Sequence, residues 1–221
     1  MVERILIYGN GQMAEIVYTY LKADPRYEVV GFTCDSNYIS EEAYFGLPLY
    51  EFETIEKKVP PESCKMLIVM SSREVNETRK SRYMTAKTKG YNFISYISPH
   101  ALIFSTAKVG ENCFILENNV IQHFAEIGNN VIMWSGNHFG HHSKLESHSF
   151  VTSHVVISGR CTIGESCFIG VNSTIRDGLH IGERAVIGAG ANILRDIPSS
   201  SVVMGLPGRI ISSDSSTANI F

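Results

Sequence analysis

An apolar residue occupies every sixth position of this chain from Ile97 to Ile193, without one exception. A period of six matches neither the 3.6-residue turn of an α-helix nor the two-residue alternation of an ordinary strand. It is typical of a short strand and a tight turn that repeat many times. The column consists of Ile97, Ile103, Val109, Ile115, Ile121, Ile127, Met133, Phe139, Leu145, Val151, Ile157, Ile163, Ile169, Ile175, Ile181, Ile187 and Ile193. The sequence therefore predicts a stack of six-residue repeats.

Two further columns have the same period. Position two of the hexad, directly after the apolar residue, is often glycine, and position five is nearly always small, with Leu179 as the bulky exception. The glycines of position two are Gly110, Gly128, Gly140, Gly164, Gly170, Gly182 and Gly188. We expect these glycines to give the backbone the freedom to turn, and the small residues to fit crowded corners. Three faces of six residues would close a triangular coil of about 18 residues, which predicts a prism of about five coils.

Composition and charge exclude several classes of protein. The 221 residues can hold one large or two small domains, and the hydrophobic content of 44% is that of an ordinary soluble protein. The 19 basic and 22 acidic residues are spread along the chain, so no basic stripe indicates a nucleic-acid partner. The N-terminus lacks the features of a signal peptide, and no apolar run approaches the length of a membrane span. We expect a cytoplasmic protein without membrane insertion.

Three of the five cysteines belong to the repeat. Cys113, Cys161 and Cys167 fall in the small column of position five, where cysteine acts as a small apolar residue. No two cysteines form a C-x-x-C pair, and Cys34 and Cys64 have no partner signature for catalysis. We predict packing roles for the cysteines of the repeat.

Strand and helix patterns alternate in the first ninety residues. Buried-type strands are predicted over 4–8, 28–33, 65–70 and 91–96. The apolar spacing of Met13, Ile16, Val17, Tyr20 and Leu21 predicts a first helix, and a second helix is predicted from about 76 to 89. This alternation is typical of a small parallel sheet with helical crossovers.

A glycine turn joins the first strand to the first helix. The spacing Gly9-x-Gly11-x-x-Ala14 at such a turn is a phosphate-binding arrangement, in which the backbone approaches the anion and the helix N-terminus receives its charge. Residues Gly9, Asn10, Gly11, Gln12 and Met13 are the predicted contacts. Asp35, at the end of the second strand, is placed to accept from a ribose hydroxyl or a base edge. Ninety residues supply half of a dinucleotide fold, so the nucleotide part of a nucleotide-sugar fits better, whereas the alternative is a structural turn that binds nothing.

The hexads carry a resemblance to a known family. Ile163-Gly-Glu-Ser-Cys-Phe, Ile169-Gly-Val-Asn-Ser-Thr and Ile187-Gly-Ala-Gly-Ala-Asn resemble the hexapeptide repeat of left-handed parallel β-helix acyltransferases. The order of the two domains and the joining phrase Tyr96-Ile-Ser-Pro-His-Ala101 resemble bacterial PglD/NeuD-like sugar acyltransferases over residues 4 to 210. Left-handedness follows from the resemblance alone, because crossovers are right-handed as a rule.

The resemblance implies a fold and an assembly. An α/β N-terminal half-Rossmann-like domain (1–95), which binds the nucleotide-sugar, is followed by an all-β left-handed parallel β-helix (96–198) and by a C-terminal segment with a polar tail (199–221). The family forms homotrimers. Because the hexads run unbroken, substrates are expected in the grooves between neighbouring prisms.

The resemblance also implies an activity. We expect a transferase that moves an acyl group, most simply acetyl from acetyl-CoA, to an amino group of a nucleotide-linked deoxyamino sugar for a surface glycan. His141 occupies position three of its hexad, the register of the catalytic base in the family, and an imidazole titrates near the working pH. His142 stands where an acidic residue commonly follows the base, and Glu146 is a candidate for orienting the imidazole. His138 and Asn137 are candidate substrate contacts, Asn137 with a structural role as the alternative.

Further residues are assigned to CoA by the same resemblance. Phe150 replaces a histidine often found near the thioester, and Gly159, Val171 and Ala189 are expected along the pantetheine. Arg209 is a candidate phosphate contact. The remaining histidines, such as His123 and His148, are expected at the surface.

Three alternatives stay open. The nucleophile can be an alcohol, as in O-acetylation of a sialic-acid-like sugar. The histidine cluster can be a zinc site shared between subunits of a trimeric hydrolyase, although the nucleotide-type domain and the phrase Gly205-Leu-Pro-Gly-Arg209 favour a CoA-using prism without a metal. Finally, the prism can be a scaffold that binds a sugar or a protein without catalysis.

Overall fold

The chain forms two compact units. The computed structural model describes residues 2–206 and 208–217. The first unit consists of Met1–Ser71 and Ser81–Ile94, and the second consists of Ser72–Lys80 and Ser95–Phe221. The division after Ile94 lies one residue before the boundary expected from the sequence. Two segments differ from the expected domain division. Residues 72–80 group with the repeat instead of the N-terminal domain, and the C-terminal segment also groups with the repeat.

The first unit contains a five-stranded sheet. Its elements are β1 (Glu3–Tyr8), α1 (Gln12–Ala23), β2 (Tyr27–Cys34), β3 (Ala43–Tyr44), β4 (Leu47–Glu51), β5 (Lys65–Ile68) and short 3-10 turns at Ser36–Tyr38, Phe52–Lys57 and Pro61–Ser63. The strand order is β3-β4-β2-β1-β5, in which β3 pairs antiparallel to β4 and the other pairs are parallel. The helix α1 buries Ala14, Val17 and Leu21, the apolar stripe expected of an amphipathic helix.

Two features of this sheet differ from the sequence prediction. The predicted strand over 91–96 is wrong, because only Phe93 pairs there, through an isolated bridge to Met66, and Tyr96 begins a strand of the repeat. Strands β3 and β4 were not predicted, and Pro48 in β4 lacks a backbone N–H, which makes a strand hard to recognise there. The second helix, α2 (Glu77–Thr88), lies where the sequence predicts it.

The second unit is a three-sided coil of very short strands. They are β6 (Tyr96–Ile97), β7 (Leu102–Ile103), β8 (Lys108–Val109), β9 (Phe114–Ile115), β10 (Val120–Ile121), β11 (Glu126–Ile127), β12 (Ile132–Met133), β13 (His138–Phe139), β14 (Lys144–Leu145), β15 (Phe150–Val151), β16 (Val156–Ile157), β17 (Thr162–Ile163), β18 (Phe168–Ile169), β19 (Thr174–Ile175), β20 (His180–Ile181), β21 (Val186–Ile187), β22 (Asn192–Ile193), β23 (Val202–Met204) and β24 (Arg209–Ser212), with a 3-10 turn at Ser215–Thr217. From β6 to β19, each strand of the repeat pairs in parallel with the strand 18 residues further on, as Val120 does with His138.

Three sheets line the sides of this prism, and we call them the first, second and third faces. The first face runs β24-β23-β21-β18-β15-β12-β9-β6, the second β22-β19-β16-β13-β10-β7 and the third β20-β17-β14-β11-β8. The residue that precedes each position-one residue points outward. The size, burial and charge of these outward residues differ between the faces. On the first face this column is large and buried, including Phe114, Phe150 and Phe168. The second face exposes Leu102 and Val156, whereas the third carries charged residues.

The position-one column forms the core of the prism. All of its members from Ile115 to Ile193 are at most 3% exposed, and they form one apolar cluster. Ile97, Ile103 and Val109, at the start of the repeat, are partly buried and pack against that cluster. Leu179, the bulky member of position five, is buried in the same core. One inward side chain per face therefore fills the prism, as the period of six predicts.

The role predicted for the position-two glycines is wrong. None of them has a positive φ, and a Cβ added to any of them would meet the next coil, for example 2.5 Å from the backbone nitrogen of Glu183 in the case of Gly164. These glycines allow close stacking of coils. The turns are made at position four, where the φ of non-glycine residues such as Asn130 and His142 is 56° and 57°. Asparagine and histidine tolerate this left-handed conformation better than most residues.

Within the second unit, buried polar contacts join residues 72–80 to the coils of the repeat. Arg79 is fully buried and donates to the backbone oxygens of Asn130, His148 (2.8 Å) and Ser149 (3.2 Å). The side chain of Asn76 donates to the backbone oxygens of Ser166 and Cys167 at 3.2 and 3.1 Å. These contacts satisfy carbonyl groups of the turns at positions four and five. Across the part of the chain described here, no helix is long and apolar enough to cross a membrane.

Candidate active site

His141 lies at a corner of the prism between the second and third faces. It belongs to the turn between β13 and β14 and is exposed, and its backbone N–H donates to the side-chain oxygen of Gln122 at 2.9 Å. The residue stacked on it 18 positions later is Gly159. We call the turns 122–124, 140–142 and 158–160 the His141 corner.

Gly159 leaves the space that the imidazole of His141 occupies. A Cβ at position 159 would lie 2.7 Å from both Cε1 and Nε2 of His141. Any larger residue at 159 would therefore displace the ring. The structure thus brings two predicted residues together, the candidate base and a candidate CoA contact.

His142 contacts the imidazole of His141 on its other nitrogen. The two Nδ1 atoms are 3.2 Å apart, and the rings meet edge to face with centroids 5.4 Å apart. The ring of Phe124, one coil earlier, packs on His142 with a centroid distance of 4.7 Å. Phe124 was missed in the sequence, although the spacing of 18 between stacked residues, counted back from His142, identifies it.

The structure does not support Glu146 as the residue that orients His141. The carboxylate of Glu146 forms an ion pair with Lys144 at 2.7 Å. Within residues 2–206 and 208–217, no carboxylate is hydrogen-bonded to His141 or His142. The side chain that contacts the ring of the candidate base is therefore His142.

Asn137 has a structural role instead of a substrate-facing one. Its side chain is buried and donates to the side-chain oxygen of Asn119 at 2.9 Å and to the backbone oxygen of Trp134. Its own side-chain oxygen accepts from the backbone N–H of Val155 at 2.7 Å. Because every polar atom of this amide is engaged inside the prism, none remains for a substrate.

The other predicted contacts lie on different parts of the prism. His138 is half-buried on the outer side of the second face, next to the His141 corner in the chain. Phe150 is on the first face, buried and stacked on Phe168 with centroids 5.8 Å apart, so within one chain it does not reach the His141 corner.

Val171 and Ala189 stack on each other at the corner between the first and second faces, and both are exposed. Arg209 is exposed on β24.

The expectation that His148 is a surface residue is wrong, whereas His123 is exposed at the His141 corner. His148 is 6% exposed, and its Nδ1 lies 2.8 Å from the side-chain nitrogen of Asn130. Burial lowers the pKa of His148 to about 4. The ring is thus neutral at physiological pH and serves the packing of the prism.

The glycine turn of the first unit presents an uncapped helix N-terminus. Gly9 has a φ of +123°, which L-residues rarely adopt, and Gly11 is the N-cap of α1 without a side-chain cap. The first backbone N–H groups of Gln12 and Met13 therefore have no capping oxygen from Gly11. The side chain of Asn10 donates to the backbone oxygen of Tyr38 at 2.7 Å, which ties the turn to the loop after β2. Such a terminus suits an anion.

Asp35 lies in a polar cluster at the carboxyl ends of β1 and β2. Tyr8 donates its hydroxyl to Oδ1 of Asp35 at 2.6 Å, and Arg82 of α2 donates from Nη2 and Nε to Oδ2 at 2.6 and 3.0 Å. Burial and the hydrogen bond to Asp35 raise the pKa of Tyr8, and the bond to Asp35 raises the pKa of Arg82. Arg82 was missed, because nothing in the helical pattern of α2 distinguishes it from other exposed basic residues.

No metal centre is found among the described residues of one chain, where no three histidine, cysteine or carboxylate side chains converge on a common point.

The repeats match a known class of proteins. Residues 106–138 and 160–195 match the family described as bacterial transferase hexapeptide (six repeats). A stretch of 107 residues, 48% of this chain, is 32% identical to a serine acetyltransferase of Bacillus licheniformis. The chain spans 45% of that enzyme, less than half of its length.

Solved structures are similar to nearly the whole chain. A perosamine N-acetyltransferase variant from Caulobacter crescentus, in complex with CoA and GDP-perosamine, has a TM-score of 0.85 at 21% identity and covers 96% of this chain and 98% of its own. The acetyltransferase domain of PglB from Neisseria gonorrhoeae, in complex with acetyl coenzyme A, has a TM-score of 0.84 at 21% identity and covers 96% and 100%.

At this level of identity the likeness establishes the fold. The predicted fold class is confirmed, an α/β unit followed by a left-handed parallel β-helix of hexapeptide repeats. The predicted resemblance to bacterial sugar acyltransferases is confirmed at the level of that fold.

Proposed function

We propose that this chain is an acetyl-CoA-dependent N-acetyltransferase that acts on the amino group of a nucleotide-linked deoxyamino sugar, with His141 as the general base. The observation that carries the proposal is the position of His141. Its imidazole is exposed at a prism corner, contacts His142 through Nδ1, and has Nε2 against the open position at Gly159. Within the described residues Nε2 has no hydrogen bond, so it is available to an incoming amine.

The chemistry needs one proton acceptor. The amine nitrogen attacks the carbonyl carbon of the acetyl thioester, and its proton passes to Nε2 of His141. The carbon–sulfur bond of the tetrahedral intermediate then breaks, and the proton is delivered to the departing CoA thiolate. A positioned base contributes about 10²- to 10⁴-fold to such a step.

Two observations support the nucleotide part of the substrate. The uncapped N-terminus of α1 offers backbone N–H groups to a phosphate, with Gly9, Asn10, Gly11, Gln12 and Met13 as the contacting segment. The pair Asp35 and Arg82 provides an acceptor and a donor at the edge of the same sheet. The enzyme from Caulobacter crescentus that shares this fold was crystallised with a nucleotide-linked amino sugar and CoA, which supports the same two ligand classes here.

CoA is expected along exposed edges of the prism, with Gly159, Val171 and Ala189 against its pantetheine and Arg209 at a phosphate. Because Gly159 lies at one corner and Val171 and Ala189 at another, contact with all three is consistent with a groove formed by two neighbouring prisms. The exposed apolar residues of the second face, Leu102 and Val156, support burial of that face in a homotrimer. The five free cysteines are consistent with a reducing cytoplasm.

The decisive experiment measures CoA release from acetyl-CoA with a panel of UDP-, dTDP- and GDP-linked amino sugars. We expect turnover with one sugar, and loss of turnover in His141→Ala while the assembly state is unchanged. His180→Ala, which removes an exposed imidazole of the third face, is the matched control and should retain activity. Acylation of a sugar hydroxyl instead of the amine, identified by mass spectrometry of the product, would assign O-acetylation. No CoA release with any sugar, together with bound zinc, would overturn the proposal.

A further inference from the structure

We propose that His142 is a positioning residue that fixes the tautomer of His141 through an imidazole–imidazole hydrogen bond, and that the amine substrate selects the form of this pair that can act as a base. The inference rests on the proposed function for the role of His141, but its first test does not depend on turnover.

A neutral pair has only two hydrogen-bonded forms. The Nδ1 atoms of His141 and His142 are 3.2 Å apart, so one must donate a hydrogen to the other. A neutral imidazole has a single N–H. In the first form His141 donates from Nδ1 and has a lone pair on Nε2, while His142 holds its hydrogen on Nε2. In the second form the roles are exchanged, and Nε2 of His141 carries a hydrogen and cannot accept a proton.

An amine that donates to Nε2 of His141 binds only the first form. Substrate binding and selection of the active tautomer are therefore the same event. When the proton of the amine moves to Nε2, the positive charge on His141 strengthens its Nδ1–H bond to the lone pair of His142. Transfer of that proton to the CoA thiolate restores the neutral pair, so His142 accepts no net charge in the cycle.

The packing at the His141 corner fixes this geometry. His142 has a φ of 57°, a left-handed conformation that makes the turn and sets the direction of its side chain. The ring of Phe124 covers His142 at 4.7 Å from one coil, and Gly159 of a later coil leaves room for His141. The acidic candidate predicted from the sequence, Glu146, is bound to Lys144. An imidazole thus performs the orienting role that a carboxylate performs in the family pattern.

Two substitutions at one position separate the hydrogen bond from its surroundings. Asparagine tolerates a positive φ and its side-chain oxygen can accept from Nδ1 of His141, whereas alanine has no acceptor. In protein labelled with ¹⁵N-histidine, we expect wild type to show hydrogen-bonded Nδ1 signals from both forms of the pair, His142→Asn to show the Nδ1–H tautomer at His141, and His142→Ala to lose the hydrogen bond at Nδ1. We further expect His142→Ala to lower kcat by about 10²-fold with little change in KM, because the variant no longer orients the ring of His141 or stabilises the imidazolium that forms during the reaction. His142→Asn should retain most of the rate.

His154→Ala is the matched control, since His154 is also exposed at position four with a φ of 58°. It should change neither the tautomer signal of His141 nor the rate. An unchanged tautomer of His141 in His142→Ala overturns the hydrogen-bonded pair, whatever the substrate of the protein proves to be. Equal rates for His142→Ala and His142→Asn overturn the positioning role even where the tautomer changes.

Discussion

Asn130 donates a hydrogen bond from its side-chain nitrogen to Nδ1 of the buried His148, at 2.8 Å. The direction of this bond is determined by the other end of the amide, whose oxygen accepts from Arg79 at 3.0 Å and from Asn112 at 2.8 Å. Nδ1 of His148 must therefore hold a lone pair, and its hydrogen is on Nε2. A proton added to Nδ1 would face the donor of Asn130, so the cluster is compatible only with neutral His148.

The first prediction concerns pH and stability. Burial lowers the pKa of His148 to about 4, below the value of about 6.5 expected in the unfolded chain. Between these values the unfolded state binds more protons, so stability rises with pH through this window and falls on acidification. We expect a loss of at most about 3 kcal/mol between pH 6.5 and pH 4 from this residue. Urea unfolding at a series of pH values measures it.

His148→Asn tests the assignment, because asparagine occupies the same column at positions 112 and 130 and has no titrating ring. The variant should show a weaker dependence on pH over this window than the wild type. His154→Asn, which replaces an exposed imidazole at an equivalent turn, should show the wild-type dependence. Parallel curves for His148→Asn and wild type contradict the prediction.

The second prediction concerns the buried guanidinium of Arg79. Burial lowers the pKa of Arg79 to about 9, which leaves it charged at neutral pH, where it donates to several backbone oxygens of the repeat. Arg79→Met fills a similar volume but leaves these oxygens unpaired, so we expect the second unit to lose about 3 kcal/mol or more of unfolding free energy. Urea denaturation measures the loss. Arg73→Met, in the same segment but exposed, should have little effect, and equal midpoints for the two variants would contradict the role of Arg79.

A third prediction separates the two kinds of glycine in the repeat. A Cβ at Gly164 would lie 2.5 Å from the backbone nitrogen of Glu183, so Gly164→Ala forces two coils apart and should cost about 1–3 kcal/mol. Gly190 has a φ of +67° with no atom within 4 Å of an added Cβ. Gly190→Asn should therefore be nearly neutral, since asparagine tolerates that φ. Thermal melting of both variants is the measurement, and a larger loss for Gly190→Asn would reverse the assignment.

The sequence alone predicts most of the prism and less of the site. The apolar column from Ile97 to Ile193 predicts the coil, its core and its 18-residue stacking, because one inward residue per face is a local property. The glycines of position two were misassigned, since a sequence does not distinguish a residue needed for its φ from one needed for its small size. The position-four turns at Asn130 and His142 had the compatible residue types, yet those types also suit any exposed loop.

Some contacts of the candidate site can also be predicted from the repeat, and others cannot. Gly159 and Phe124 follow from counting 18 residues from His141 and His142, so the register of the repeat is sufficient to find them. The pairing of Glu146 with Lys144 and the burial of His148 depend on which neighbours a side chain meets, and no periodic signal reports this. Arg82 reaches Asp35 through the placement of α2, a tertiary relationship without any counterpart in the chain order.

The fourth prediction concerns Gly159. The methyl group of Gly159→Ala would lie 2.7 Å from Cε1 and Nε2 of His141, and the end of a flexible side chain can move aside at small cost. We expect little change in melting temperature, but displacement of the imidazole by about 1 Å should lower kcat by about 10²-fold. Steady-state kinetics with acetyl-CoA and the accepted sugar measures this. A variant with unchanged kcat would show that His141 works in another position.

The last prediction tests the nucleotide site of the first unit. The carboxylate of Asp35 can accept further hydrogen bonds beyond those from Tyr8 and Arg82. Arg82→Met removes the ion pair with Asp35 at 2.6 Å and also removes a cationic group from the end of the sheet. We expect Arg82→Met and Asp35→Asn to raise KM for the nucleotide-sugar by about tenfold or more, the equivalent of one lost charged hydrogen bond, while KM for acetyl-CoA is unchanged. The matched control is Arg26→Met, because Arg26 binds Asp24 through the same two nitrogens, at 2.9 and 2.5 Å, at the other end of α1. Calorimetric titration with the free nucleoside diphosphate separates binding from catalysis. Wild-type affinity in Arg82→Met and Asp35→Asn would move the nucleotide away from this end of the sheet.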